Sequence, residues 1–411
     1  MSWVIGANDS PYNIHNLPYG VFTTSDNPDP RIGVRIGDYI LDMKLAVLSG
    51  NCQDCPTCSA MQDQVLNRFM ALGRDMWTKV RGQIQQMLSE SSMQEMVTSW
   101  LVDIDDAQMH MPFMVTDFTG FNSSEYHASN MAQIHRPSSD GPTSLSPDLL
   151  SPNWKHQPLG YHGRAASVVP TGTNIARPSG QRRMADGTVT FGPSELLDIE
   201  AEIGFVVGVP NGLGNPVGPD AFRDCVFGAV LLNDWSARDL QVWEGRPFNS
   251  KSFATSMSHW VTPIDALSAA LTSAPQQGPD TPDYLKEADR SAYDLQLHVE
   301  WNGLQVSRPR FGDMYWTPAQ QLAHMTSNGA VVRSGDLYAS GAVSGPEKGE
   351  RGSFMELTWG GQEPVTLADG SRRAFLHDGD AVRIQATAPG PKGTTIALGE
   401  VAGTILPSRQ R

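Results

Sequence analysis

The sequence predicts a mainly β fold with some α, arranged in two parts. Three observations carry this expectation. The chain contains 39 glycines and 29 prolines, a turn content that suits many short strands better than a helix bundle. Several short runs place apolar residues at every second position, the period of a strand. A length of 411 residues exceeds what one ordinary core fills.

The expected parts are residues 1–112 and 113–411. In the first, Gly20-Val-Phe-Thr-Thr reads as a strand, followed by a turn at Asp26-Asn-Pro-Asp-Pro. Val34, Ile36, Tyr39 and Leu41 then alternate about the Gly37-Asp38 turn, as in a half-buried hairpin. Residues Gln62 to Met96 read as helical. Leu66, Phe69, Met70 and Leu72 share one apolar stripe, and Met76, Val80, Ile84 and Met87 another. In the second part, strand-like runs alternate with Gly/Pro loops. They are Ser167 to Pro170, Ile203 to Val209, Val226 to Leu232, Asp294 to Trp301, Val331 to Arg333 and Ala381 to Ala386. Leu295, Leu297, Val299 and Trp301 fall on one face. Ser268 to Tyr284 reads as a surface loop.

Charge and composition exclude several functions. Lys plus Arg is 30 and Asp plus Glu is 44, a net charge of −14. Bulk charge of that sign opposes binding to nucleic acid or to an anionic membrane. The longest apolar run, Cys225 to Leu232, is far shorter than the ~20 residues of a membrane-spanning helix. The first residues lack a basic start and an extended apolar stretch, so a cytoplasmic protein is expected. Four cysteines make no disulfide scaffold. Cys52, Cys55 and Cys58 have metal-ligand spacing without a fourth ligand nearby, which favours a plain loop.

Three clusters carry chemistry. Asp198, Glu200 and Glu202 alternate along one strand and share a face. Such like charges either face solvent or surround a hard cation. Asn233 or Asp234 follows an apolar strand and reads as a helix N-cap, placing Asp234, Arg238 and Gln241 on one helix face. That set is either a cap with a surface ion pair or a metal and carbonyl site. His127 stands among small polar residues; it is a structural histidine unless an acid orients it.

In order along the chain, Gln157-Pro-Leu-Gly-Tyr-His-Gly-Arg-Ala-Ala-Ser, Leu197-Asp-Ile-Glu-Ala-Glu, Asn233-Asp-Trp-Ser-Ala-Arg-Asp, Lys251-Ser-Phe-Ala-Thr, Met314-Tyr-Trp-Thr-Pro-Ala-Gln-Gln-Leu and Gly352-Ser-Phe-Met-Glu-Leu-Thr-Trp resemble the fumarylacetoacetase family. The likeness runs over nearly the whole chain. It implies a small N-terminal SH3-like barrel, a larger C-terminal mixed β-roll carrying the active site, and a homodimer. It also implies a divalent cation (Mg²⁺ or Ca²⁺, with Mn²⁺ as a third choice) and hydrolysis of a carbon–carbon bond in a small 1,3-dicarbonyl acid. Carried over by position, His127 is the base and Glu356 its orienting acid. Arg238, Gln241 and Lys251 polarise the carbonyl, while Glu200, Glu202 and Asp234 bind the metal, with Thr255 beside a cation. Arg136 and Tyr161 contact substrate.

The departures fall at the site. Gly120 stands where the family carries a metal-binding Asp, Asn122 and Gly245 where it carries Tyr, and Ala342 where it carries Thr. The loop from Glu244 to Lys251 is shorter. The expectation is therefore a hydrolase acting on fumarylacetoacetate or, favoured by the altered pocket, a related diketo acid. The alternatives are a non-hydrolytic lyase, isomerase or cyclase using the same enolate chemistry, and an inactive dimeric binding protein. Asp117 is a candidate replacement for the missing ligand.

Overall fold

A computed structural model describes residues 1–48, 55–135, 150–184, 186–278 and 281–409. Arg136 and Cys52 lie outside the described residues. The fold is mainly β with some α. In the N-terminal part a five-stranded antiparallel sheet runs in the order Leu101–Asp103, Tyr39–Asp42, Arg31–Ile36, Tyr19–Thr24, Ala107–His110. The hairpin around Gly37 pairs in the expected register, Ile36 opposite Tyr39. It is not half-buried, however. Ile40 is as inaccessible as Val34 and Leu41, because Phe22, Ile40 and Trp260 form a second small core on the other face.

The helical stretch breaks into pieces, Asn67–Met70, Arg74–Ser89 and Gln94–Thr98. Gly73, at φ +86°, makes the first break, a conformation that disfavours other residues. In the long helix the buried stripe is Trp77, Val80, Ile84 and Leu88. Met76 and Met87 sit at its edge.

The C-terminal part is built on an eight-stranded mixed sheet. Its order is Gly160–His162, Phe118–Phe121, Leu337–Ala339, Ala201–Val207, Val226–Asp234, Thr255–Met257, Val168–Pro170, and Thr262–Pro263 also pairs with Val226–Asp234. The two central strands are buried at every residue. Their alternate side chains serve different cores: Ile203, Phe205, Ala229 and Leu231 pack one way, Val206, Phe227, Val230 and Leu232 the other. A strand covered on both faces needs a continuous apolar run, which is what the sequence carries here. The second of these cores is shared with Val21, Ile32, Val34, Phe69 and Trp77 of the N-terminal part. On the opposite face lies a five-stranded sheet, Leu304–Ser307, Gln296–Trp301, Ala381–Pro389, Thr395–Leu406 and Ile175–Ala176. Leu297, Val299 and Trp301 point from it into the first of these cores, as their spacing predicts.

Two segments depart from expectation. Val331 to Arg333 forms no strand; the Val332 amide donates to Asn211 Oδ1 at 2.6 Å instead of to a ladder. Within the expected loop after Ser268, Leu271–Ser273 pairs with Ser291–Tyr293. Among the described residues no helix is long and apolar enough to cross a membrane.

Candidate active site

The site lies where the two central strands meet at one end. Ala201 pairs with Asn233, and the Asp234 amide donates to the Glu200 carbonyl at 3.0 Å. This register brings Glu200, Glu202 and Asp234 together. Their carboxylate oxygens lie within 4.8 Å of one another, and all three residues are buried. They form the one cluster of metal-ligating residues among the described residues.

Asp198 does not join them. The strand is interrupted at Ile199-Glu200, so the alternation that would align the three acids fails. Asp198 instead accepts the amides of Ile199, Phe354 and Met355 and takes Arg238 Nε at 2.8 Å. Nor is Asp234 a helix cap. The strand continues through it, a short strand Ser236–Ala237 follows, and the helix Arg238–Glu244 starts after Ala237 without a side-chain cap.

The cations are buried among these acids. Arg238 Nη1 donates to Glu200 Oε1 at 2.7 Å and to Gln241 Oε1 at 3.2 Å. Lys251 Nζ lies 2.6 Å from Glu200 Oε2 and 3.1 Å from Asp234 Oδ2. Burial would raise the Glu200 carboxyl, but Lys251 and Arg238 outweigh it and hold it well below the usual range. Glu202 goes the other way. Burial, then the Asp234 and Glu200 charges, pushes it well above its ordinary value. The Gly341 amide donates to Glu202 Oε2 at 2.9 Å. A side chain at Gly341 would meet the Phe121 carbonyl at 2.3 Å, so this approach requires glycine.

The Thr255 hydroxyl donates to Asp234 Oδ1 at 2.7 Å and fixes that carboxylate. Five carboxylates, on Asp198, Glu200, Glu202, Asp234 and Glu356, are buried here with Arg238 and Lys251. A divalent cation held by Glu200, Glu202 and Asp234 would offset the excess, and oxygen donors of this type suit hard ions.

Beside the acids stands His127 on the helix Glu125–His135. Its Nδ1 lies 2.6 Å from Glu356 Oε2, and its Nε2 lies 3.7 Å from Glu200 Oε1. Burial would lower the imidazole pKa, but the Glu356 charge and hydrogen bond, with Glu200, hold it above its ordinary value. Glu356 is fully buried on the short helix Phe354–Leu357. It also accepts Asn130 Nδ2 at 2.9 Å, Ser344 Oγ at 3.0 Å and Ser353 Oγ at 2.7 Å. No spacing in the sequence marks Ser344 or Ser353 for this role. Only Asn130 had a local signal, one helical turn after His127.

His127, Glu200, Arg238 and Lys251 line a cavity of about 720 Å³ that also takes in Asn122, Tyr161, Gln241, Gly245 and Ala342. Arg238 Nη2 and Asn122 Oδ1 are buried polar atoms without a protein partner. Gly120 is accounted for by Tyr161. The two pair across antiparallel strands, and a Cβ at position 120 would lie 2.4 Å from Tyr161 Cε1 and 2.9 Å from its hydroxyl. The phenol thus fills the space that a longer side chain would need, and its hydroxyl donates to Asp234. Asp117 is not a replacement ligand. It accepts the next amide and lines a different cavity with His162 and His324.

Cys55 and Cys58 open the short helix Pro56–Ala60 rather than lying in a loop, with their sulfurs 2.8 Å apart.

Comparison with known proteins agrees with this architecture. Residues 15–112 match the Fumarylacetoacetase N-terminal family model, and residues 125–405 match the Fumarylacetoacetate (FAA) hydrolase C-terminal model. Fumarylacetoacetase of Homo sapiens is 42% identical, over 99% of this chain and 99% of its own length. The Caenorhabditis elegans enzyme is 43% identical with the same coverage. Among solved structures, the Exiguobacterium antarcticum fumarylacetoacetate hydrolase shares the fold at TM-score 0.55 and 15% identity, covering 96% of this chain and all of that one. Maleylpyruvate hydrolase from Sphingobium sp. SYK-6, in complex with manganese(II) and pyruvate, does so at TM-score 0.52 and 14% identity, again over 96% and 100%. The chain therefore belongs to the fumarylacetoacetase family, a family of hydrolases that act on carbon–carbon bonds.

Proposed function

We propose that the protein hydrolyses a carbon–carbon bond in a 1,3-dicarbonyl acid, fumarylacetoacetate or a related diketo acid, with the aid of a divalent cation. The observation that carries this reading is the His127–Glu356 pair at 2.6 Å, with His127 and Glu200 of the buried acidic cluster lining one cavity. A divalent ion held by Glu200, Glu202 and Asp234 supplies Lewis-acid polarisation of dicarbonyl oxygens. Mg²⁺ and Ca²⁺ suit the all-oxygen donor set, and Mn²⁺ fits it too.

The chain's own groups do the rest. Neutral His127 takes the proton from water at Nε2, while Glu356 holds Nδ1–H and stabilises the imidazolium that forms. Arg238 Nη2, Gln241 and Lys251 donate to the oxygen where negative charge develops. Tyr161 steadies Asp234, and Asn122 and Ala342 shape the wall against which the substrate lies. Family resemblance assigns the substrate carboxylate to Arg136, which lies outside the described residues. The protein acts as a cytoplasmic homodimer, a state that sedimentation analysis would read.

The test is direct. Purified protein is incubated with fumarylacetoacetate and Mg²⁺, Ca²⁺ or a chelator, and loss of the diketone absorbance is followed. Metal-dependent turnover supports the reading. No turnover from folded, metal-binding protein, with this acid or with larger diketo acids, overturns it.

A further inference from the structure

The cavity changes character from floor to mouth. The floor is made of buried polar groups, His127, Glu200, Arg238 and Lys251. Towards the mouth the more exposed lining side chains include four apolar ones, Met131, Leu159, Val242 and Pro247. Outside Val242 the apolar surface continues. Val242 is 64% exposed, Trp243 39% and Phe248 60%. Large side chains left in water beside a cavity mark a binding surface more than they mark a core.

Gly245 keeps this mouth wide. It ends the helix in the left-handed conformation at φ +72°, and a Cβ there would have no neighbour within 4 Å.

Charge runs the same way. Of the described cavity-lining residues, Arg238 and Lys251 are the cations. Both are at the floor and both already face Glu200. The half-buried polar lining residues, Asn122, Tyr161 and Gln241, bring no cation, and burial, then the Arg238 charge, lowers the pKa of His135. A substrate anchored at the floor by its diketo acid therefore extends its remaining arm past apolar groups.

We infer that Met131, Leu159, Val242 and Pro247 form a subsite for an apolar arm, so that the preferred substrates are diketo acids bearing an alkyl or aryl chain on the carbon distal to the carboxylate. This rests on the diketo-acid reading above, whose failure the following experiment separates from its own. The probes are 2,4-diketo acids with straight alkyl arms from methyl to heptyl, compared with fumarylacetoacetate. kcat/KM should rise by about three- to fourfold per added methylene until the mouth is filled. Val242→Asp should flatten that slope, and Met131→Gln, of similar length, should reduce it. Circular dichroism and thermal melts matching the wild type establish that both variants fold.

Turnover of the methyl compound and of fumarylacetoacetate with no gain along the series would overturn the apolar subsite and leave the hydrolytic reading intact. If no compound is turned over, the hydrolytic reading fails, and dissociation constants from tryptophan fluorescence decide the subsite. A Kd that tightens with chain length in wild type but not in Val242→Asp supports it. A flat Kd overturns it.

Discussion

Arg31 and Arg238 are both buried and both face carboxylates, yet they are used differently. Arg31 has every nitrogen engaged: Nε on Asp42 at 2.5 Å, Nη1 on the Asn27 carbonyl and Nη2 on the Thr24 hydroxyl. Its guanidinium also stacks over Phe22, and the free oxygen of Asp42 accepts the amides of Lys44 and Leu45. One charge meets one charge and nothing is left over. Arg238 meets two carboxylates, lies among three more acids, and keeps Nη2 without a protein partner. The lesson is that burial alone does not distinguish structure from function. A balanced, saturated pair holds a sheet together, whereas an unbalanced cluster with an unused donor is built for something that binds.

Breaking each region should give opposite signatures. The largest expected effect is at His127. His127→Gln should lower turnover by about 10²- to 10⁴-fold while the protein stays folded. In the wild type the acid limb of the kcat/KM profile should lie above pH 6.5, because the folded-state pKa of His127 is raised and the base works only when neutral. Glu356→Gln should move that limb down. A limb that does not move would remove Glu356 from its assigned place.

Asp42→Ala should do the reverse, destabilising the fold by about 3–5 kcal/mol in urea titrations, since Arg31 is left buried and unpaired. The remaining folded protein should keep its turnover number. Loss of turnover without loss of stability would erase the contrast between the two arginines.

Cation binding comes next. At about a hundredfold excess over Kd, Mg²⁺, Ca²⁺ or Mn²⁺ should add about 2.7 kcal/mol to stability, raising Tm, and Glu202→Gln should abolish most of that gain. An undiminished gain in the variant would place the ion elsewhere.

The smallest effect lies outside both regions, at Glu287. Burial pushes its carboxyl up to about 7, against a hydrogen bond from Thr317. The folded chain then holds a proton that the unfolded chain has released, so stability falls as pH rises from 4.5 to 7. Glu287→Gln should remove roughly 1–2 kcal/mol of that slope, the group being only partly shielded from solvent.

Much of the fold was legible where one force dominated. The hairpin about Gly37 and the strand Gln296–Trp301 follow from turn chemistry and alternation. The central strands read as apolar runs because both their faces are covered. What escaped depended on contacts distant in sequence. Alternation placed Asp198 with Glu200 and Glu202, but three backbone amides and Arg238 hold it elsewhere. Asp234 looked like a helix cap because the short strand after it carries no pattern of its own. Glu356, 229 residues from His127, was reachable only through family resemblance. The Gly120 departure, opaque in one dimension, becomes a packing statement once Tyr161 is seen across the strand pair.

That packing also constrains how this sequence can change. With the Tyr161 ring 2.4 Å from where any Cβ at position 120 would stand, no single substitution restores an acidic residue there without displacing the ring. The ring would have to swing aside as the new side chain entered, and that movement would release its hydroxyl from Asp234. A change at position 120 is therefore felt inside the acidic cluster, by way of the ring.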